Sequence, residues 1–291
     1  MKVNEQPLVS VLMTSYNRED YIAEAIESVL ASTYSNFELI IVDDCSTDKT
    51  VSIIKDFLNK DDRISLYVNE KNLQQFPNRN KAASYAKGKY IKYLDSDDRI
   101  YDWGLAYCVG LMEKYPDAGM GIFQAQNKVD EEYLLPEEAV NKHFFRSSFL
   151  NIGPSGIILR RDAFENAGRY NPNYGVPSDM YFNIKLASLF PVVMLKKEFF
   201  FYREHEGQEI KNRNSYLLYN YPYLRDVLKL TELPLKENKK AELLLKAKKN
   251  FLKECVRSIR DTRKIKPALQ AFKLSQMNFK DVLSGILNKS L

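Results

Sequence analysis

Within its first 94 residues the chain alternates four short apolar runs with amphipathic stretches, and this rhythm restricts the possible folds more than any other feature. The runs occupy residues 8–13, 37–42, 64–68 and 90–94. Each has the length of a strand, and the run at 37–42 is nearly all apolar, as a parallel strand covered on both faces must be. Between them, Ile22, Ala25, Ile26, Val29 and Leu30 share one helical face, as do Val51, Ile54 and Phe57-Leu58. Ser46, Thr47 and Asp48 can each cap the second of these helices. A third helix is expected around 78–87. The order β-α-β-α-β-α-β with short connections predicts an α/β fold, a mostly parallel sheet flanked by helices on both faces. Ligands of such sheets bind beyond the C-terminal strand ends. Here those ends carry Thr14–Asn17, Asp43-Asp44 and Asp95-Ser96-Asp97-Asp98, so three polar clusters converge on one edge.

After residue 98 the spacing predicts a helix at 103–115 and a strand at 119–125. Residues 127–150 are acidic, then aromatic, without a period, and read as a surface excursion or a lid. A strand at 157–160, a short helix at 162–167 closed by Gly168, a helix capped by Ser178, and strands at 192–195 and 199–202 follow. Beyond 215 the pattern is helical only, with Leu243-Leu244, Ala247, Phe251-Leu252, Cys255-Val256 and Ile259 at three- and four-residue intervals. Charge changes at the same place. From residue 206 onward 19 lysines and arginines face 9 acids, so the first 205 residues carry a net negative charge within a chain of net charge +5. Residues 1–214 read as one unit, in halves of 1–98 and 99–214, and residues 215–291 as a C-terminal all-helical appendage.

The three cysteines, Cys45, Cys108 and Cys255, are too few and too widely spaced for a zinc site or a disulfide framework. No leader-like apolar segment opens the chain, and no stretch reaches the roughly 18 apolar residues of a membrane span. The expectation is a cytoplasmic protein.

The acidic tetrapeptide carries the chemistry. Three carboxylates in four residues repel one another unless a cation neutralises them. Hard oxygen ligands at a strand end suit Mg²⁺ or Mn²⁺ carrying a phosphorylated ligand. Taken alone, the tetrapeptide reads better as a solvated acidic turn.

In context it does not stand alone. The segments Val9-Ser10-Val11-Leu12-Met13-Thr14-Ser15-Tyr16-Asn17, Ile41-Val42-Asp43-Asp44-x-Ser46-Thr47-Asp48 and Leu94-Asp95-Ser96-Asp97-Asp98 resemble the family 2 glycosyltransferases of the GT-A fold. Asn78-Arg79-Asn80 and Ala86-Lys87-Gly88-Lys89-Tyr90-Ile91 resemble the stretch preceding that family's acidic motif. The resemblance covers about residues 8 to 205 in order and spacing. It implies an inverting enzyme that moves a sugar from a nucleotide diphosphate, a UDP-sugar above all, to a hydroxyl of a glycan or lipid-linked acceptor. The setting it implies is bacterial cell-envelope polysaccharide synthesis.

By the same resemblance, Asp43 accepts the N3–H of the base, Tyr16 lies against the base and Thr14 meets it through its backbone. Arg79 is a partner of phosphate or base, and a surface salt bridge is its plain alternative. Asp97 coordinates a divalent ion, Mn²⁺ or Mg²⁺, with Asp95 toward the ribose or the metal's waters and Asp98 shaping the turn. Tyr202-Arg203-x-His205 resembles the family's terminal motif and makes His205 a further metal ligand. Pro177-Ser178-Asp179 resembles the acidic pair that opens a helix, with Asp179 as the general base. His143 has no such context and reads as lid or surface.

The chain departs from the family pattern in three places. Met13-Thr14-Ser15 replaces a proline-containing run, Cys45 stands where glycine is common, and Ser178 replaces the first acid of its pair. The basic residues of 236–266, interleaved with leucines, suit either the anionic inner face of the plasma membrane or a structural role that includes a homodimer. Nucleic acid is not expected, because no recognition motif accompanies the charge. A sugar-phosphate nucleotidyltransferase is disfavoured because residues 14–20 contain no glycine. A catalytically inactive nucleotide-sugar-binding scaffold is the remaining alternative.

Overall fold

The first apolar run forms strand β1 (Val9–Ser15), an interior strand, third from one edge of an eight-stranded sheet. The computed structural model describes residues 6–124, 132–206, 208, 212–278 and 280–282. In chain order follow α1 (Ile22–Leu30), β2 (Phe37–Asp43), α2 (Thr50–Leu58), β3 (Ile64–Val68), α3 (Gln75–Tyr85) and β4 (Tyr90–Tyr93). These four strands lie side by side in the order β3-β2-β1-β4, all parallel. The periodicity of the sequence therefore emerges as architecture. Ile22, Ala25, Ile26 and Val29 are the buried face of α1, as their spacing requires.

The second half widens the sheet with strands of mixed direction. β5 (Arg99–Ile100), α4 (Gly104–Lys114), β6 (Met120–Phe123), β7 (Tyr133–Leu134) and α5 (Pro136–Phe145) lead to β8 (Ile157–Arg160). Then come α6 (Arg161–Asn166), α7 (Ser178–Leu189), β9 (Val192–Leu195) and β10 (Phe200–Phe201). β8 inserts antiparallel between β4 and β6, β9 runs parallel to β6, and β7 closes the edge antiparallel to β9. β5 and β10 form a separate two-stranded ribbon. One apolar core lies under α1, α2 and α4, and another gathers residues of α3, α5, α6 and α7 on the opposite face.

The stretch at 127–150 differs from its sequence reading. Residues 125–131 lie outside the described residues, but 136–145 is a helix packed into the core through Ala139, Val140 and His143. Its start is written in the sequence. Pro136 takes the first helical position, and Glu138 Oε2 accepts the Leu135 N–H at 2.9 Å. His143 is correspondingly no surface residue. Its Nδ1 accepts the Leu150 N–H at 3.3 Å, and burial lowers its pKa to about 4. Ser178 likewise does not cap α7. It is the first helical residue, and its buried hydroxyl has no hydrogen-bond partner among the described residues. Asp48 is the residue that accepts the Thr50 N–H, at 3.0 Å, where α2 begins.

The C-terminal helices are α8 (Arg213–Val227), α9 (Glu237–Thr262) and α10 (Lys266–Ser275). Tyr223 and Val227 of α8 belong to the main core, whereas Tyr221 packs with Ala247, Phe251, Ala268 and Ala271 in a cluster of its own. α8 is thus the seam between the α/β layers and the last two helices.

Candidate active site

The strand order places the ends of β1, β2 and β4 together, and their loops are tied to one another before any ligand is considered. Asp43 is fully buried. Its carboxylate accepts the Ser15 hydroxyl at 2.8 Å, the Ser46 N–H at 2.8 Å and the Ser46 hydroxyl at 2.6 Å. Asn17, at φ 51°, accepts the Thr47 N–H at 2.9 Å and donates its own N–H to Ser46 Oγ at 2.8 Å. Cys45 adopts φ 68°, a conformation that costs a residue with a Cβ about 1–2 kcal/mol. Asp44 holds the next loop, accepting from Asn69 Nδ2, the Leu73 N–H and the Gln74 N–H at 2.7, 2.8 and 2.9 Å. Half-buried Thr14 and exposed Tyr16 border this floor. Asp43 thus accepts one of these bonds on Oδ1 and two on Oδ2, which leaves acceptor capacity on Oδ1. The Asp43 side chain ties the junction of the two loops.

Beyond β4 the three carboxylates of Asp95, Asp97 and Asp98 converge, each offering an oxygen within 4.8 Å of the others. Asp95 accepts both terminal nitrogens of Arg79 on Oδ1, at 3.0 and 2.8 Å. That guanidinium is only 3% exposed, so Arg79 makes a buried ion pair and is neither a surface salt bridge nor an open phosphate site. Asp97 Oδ2 lies 2.8 Å from His205 Nε2 and 3.4 Å from Arg18 Nε. The His205 ring stacks on Tyr21. Asp98 does more than shape the turn. Its Oδ1 accepts the Arg203 N–H at 3.0 Å and its buried Oδ2 makes no hydrogen bond among the described residues, while burial, and then the Asp95 charge, push its carboxyl up to about 7 against the pull of the Ser155 hydroxyl and the Arg203 N–H.

This orphaned oxygen, the two neighbouring carboxylates and an imidazole in contact with one of them are a fitting donor set for a divalent cation of the Mg²⁺ or Mn²⁺ kind. The cluster is also braced from beneath. Ser155 Oγ accepts the Asp95 N–H at 3.0 Å, and the Ser155 carbonyl accepts Lys92 Nζ at 2.5 Å. Lys92 is fully buried, and that burial lowers its ammonium to about 8.

Asp179 sits in the first turn of α7, near Arg79. Burial raises its carboxyl to about 7; the Met180 N–H, donated to its Oδ1 at 2.7 Å, and the Arg79 charge act against that rise. The charges of both Asp95 and Asp179 stabilise the Arg79 cation against its own burial. The Arg79 guanidinium thus pairs directly with Asp95 and also feels the charge of Asp179. Arg18, Ser155, Lys92 and Arg203 went unassigned by the sequence. Arg18 and Arg203 adjoin recognised motifs, but nothing local marks Ser155, and Lys92 occupies an otherwise ordinary strand position.

A family model described as glycosyl transferase family 2 matches residues 10–168. Among curated relatives, the putative teichuronic acid biosynthesis glycosyltransferase TuaG of Bacillus subtilis is 46% identical over 96 residues, which cover 33% of this chain and 38% of that protein. The GalNAc(5)-diNAcBac-PP-undecaprenol beta-1,3-glucosyltransferase of Campylobacter jejuni is 25% identical over 261 residues, 86% of this chain and 79% of that one. The chain spans 38–56% of the length of the first three curated relatives it matches. Two solved structures share its fold. S. aureus TarS 1–349 with UDP-GlcNAc has a TM-score of 0.70 at 20% identity, covering 91% of this chain and 79% of that one. The mannosyltransferase PcManGT of Pyrobaculum calidifontis, with GDP-Man and Mn²⁺, has a TM-score of 0.66 at 15% identity, covering 96% and 78%.

Proposed function

The chain belongs to glycosyl transferase family 2, and from that premise we propose that it transfers a sugar, with inversion, from a UDP-sugar to a hydroxyl of a glycan or lipid-linked acceptor. Cell-envelope polysaccharide synthesis is the setting, in keeping with the relatives' names. Residues 1–214 are the catalytic unit and 215–291 an appendage that serves membrane contact or self-association.

One observation carries the reading. A convergent carboxylate cluster is ion-paired through Asp95 to a buried guanidinium, and the Asp179 carboxyl, raised to about 7, interacts with that same guanidinium. The first suits a cation and a diphosphate; the second suits a proton acceptor near neutral pH. Asp179 takes the proton of the acceptor hydroxyl as that oxygen bonds to the anomeric carbon. The bond from that carbon to the diphosphate oxygen breaks with its electrons, and the nucleoside diphosphate leaves. Asp97, His205 and the cluster around Asp95 would hold a divalent ion, which when bound would neutralise the leaving group's charge. Arg79 orients Asp95. Thr14 and Tyr16 border the nucleobase, and Asp43 acts by fixing the loops beneath it. The acceptor's further sugars have room in a cavity of about 730 Å³ between α8 and α9, whose wall includes Met180, Tyr223, Asn220 and Asn250.

The test is donor turnover across UDP-, GDP- and dTDP-sugars, with Mn²⁺ and with EDTA. Turnover of a UDP-sugar that needs the divalent ion is expected. Undiminished turnover in EDTA would remove the metal from the mechanism, and binding without turnover of any donor would favour the inactive scaffold.

A further inference from the structure

The last two helices expose apolar residues in a regular pattern rather than singly. On α10, Ile265, Leu269 and Phe272 fall at intervals of four and three residues and are 58%, 63% and 37% exposed, with Ile265 at the helix's N-cap. They form one stripe, beside the face that buries Ala268, Ala271 and Ser275. On the last turns of α9, Val256 and Ile259 are 67% and 36% exposed, on a different side from the buried Ala247, Phe251 and Cys255. The two helices are joined by a turn that begins with Arg263, whose φ is 55°. Five large apolar side chains exposed within 17 residues are more than isolated surface apolar residues would explain.

Charge identifies what covers them. Lys253, Arg263, Lys264, Lys266 and Lys273 flank the stripes, are all exposed, and have no carboxylate partner among the described residues. The same segment, 253–273, holds only two acids, Glu254 and Asp261, and each is paired with an arginine. Apolar residues rimmed by unpaired cations fit a surface that is apolar within and anionic at its rim.

We propose that the end of α9 and α10 is a membrane-binding face, on which Val256, Ile259, Ile265, Leu269 and Phe272 enter the headgroup boundary of an anionic bilayer and the flanking cations hold its phosphates. This narrows the expectation for 236–266. The first half of α9 carries lysines but shows no exposed apolar stripe, and the contact extends past 266 onto α10. The inference concerns attachment and rests on the transfer reading only in supposing that the acceptor is lipid-linked.

The experiment is co-sedimentation of the full chain with phosphatidylcholine vesicles, with and without phosphatidylglycerol. Wild type should bind the anionic vesicles, more weakly as salt rises. Leu269→Glu with Phe272→Glu should weaken binding about tenfold or more, and Lys264→Glu with Lys266→Glu by about fivefold per charge removed. The substituted side chains are exposed, so circular dichroism and the thermal transition should match wild type, as should donor turnover without vesicles. Vesicle binding that survives Leu269→Glu with Phe272→Glu overturns the proposal. So does a dimer, seen in sedimentation velocity and dissociated by that variant, in a protein that ignores vesicles; the stripe would then belong to a second copy. Loss of donor turnover with vesicle binding intact would count against the transfer reading alone.

Discussion

The acidic turn at 95–98 and Asp179 are both carboxylate sites near Arg79, yet Asp95 and Asp97 of the turn are held directly by guanidinium and imidazole groups and Asp179 is not. In the turn, Asp95 receives two guanidinium hydrogen bonds and Asp97 receives an imidazole and a second guanidinium. Asp179 is half-buried and receives one backbone N–H, and its carboxyl rises to about 7. Cations nearby keep an acid ionised, whereas burial without enough of them makes it reluctant to ionise. The first environment therefore suits a metal and a diphosphate, and the second suits a proton. Only the balance of burial against nearby cations separates the two.

The comparison breaks most severely at Asp97. Asp97→Asn should lower transfer about a thousandfold, because the leaving group's charge is then poorly neutralised. Mn²⁺ binding followed by electron paramagnetic resonance should weaken in parallel; transfer near the wild-type rate would place the cation elsewhere.

Asp179→Asn should reduce kcat by about a hundredfold or more, with nucleotide binding by calorimetry largely unchanged. The pH dependence follows from the raised carboxyl. The base works when ionised, so wild-type transfer should climb through about pH 7 on its acid limb. The stability consequence has the opposite sense. The folded carboxyl ionises near 7 and the unfolded one near 3.8, so ionisation makes folding progressively less favourable as pH rises through that interval. Asp179→Asn removes this cost, and its thermal midpoint should gain on wild type from pH 4 to pH 8. A difference that stays flat would show that burial does not govern this acid.

The smallest effect belongs to His205. His205→Ala should weaken metal affinity about ten- to a hundredfold while leaving Asp95, Asp97 and Asp98 in place. A loss as large as that of Asp97→Asn would make the imidazole an equal ligand rather than a supporting one.

Much of this could be read before any coordinates. Residues 8–94 alternate so regularly that burying their apolar faces leaves few arrangements besides a parallel sheet, and chain order alone brings Thr14, Asp43 and Asp95 to one edge. The helix at 136–145 was hidden because its apolar residues are few, although Pro136 and Glu138 announced its start. Asp43 shows a different kind of limit. Its position at a strand end was legible, but its occupation by Ser15 and Ser46 depends on where a second loop lands.

The sequence by itself determined the order of strands and helices, the edge on which acids gather and the basic character of the last helices. These follow from periodicity and composition, which act locally along the chain. Tertiary structure decided that Arg79 faces Asp95 from the interior, that Lys92 lies under the acidic turn and that Asp179 is raised toward neutrality. It also decided which apolar residues of α9 and α10 remain outside. Each of these depends on burial and on distances between residues far apart in the chain, and no local pattern specifies either.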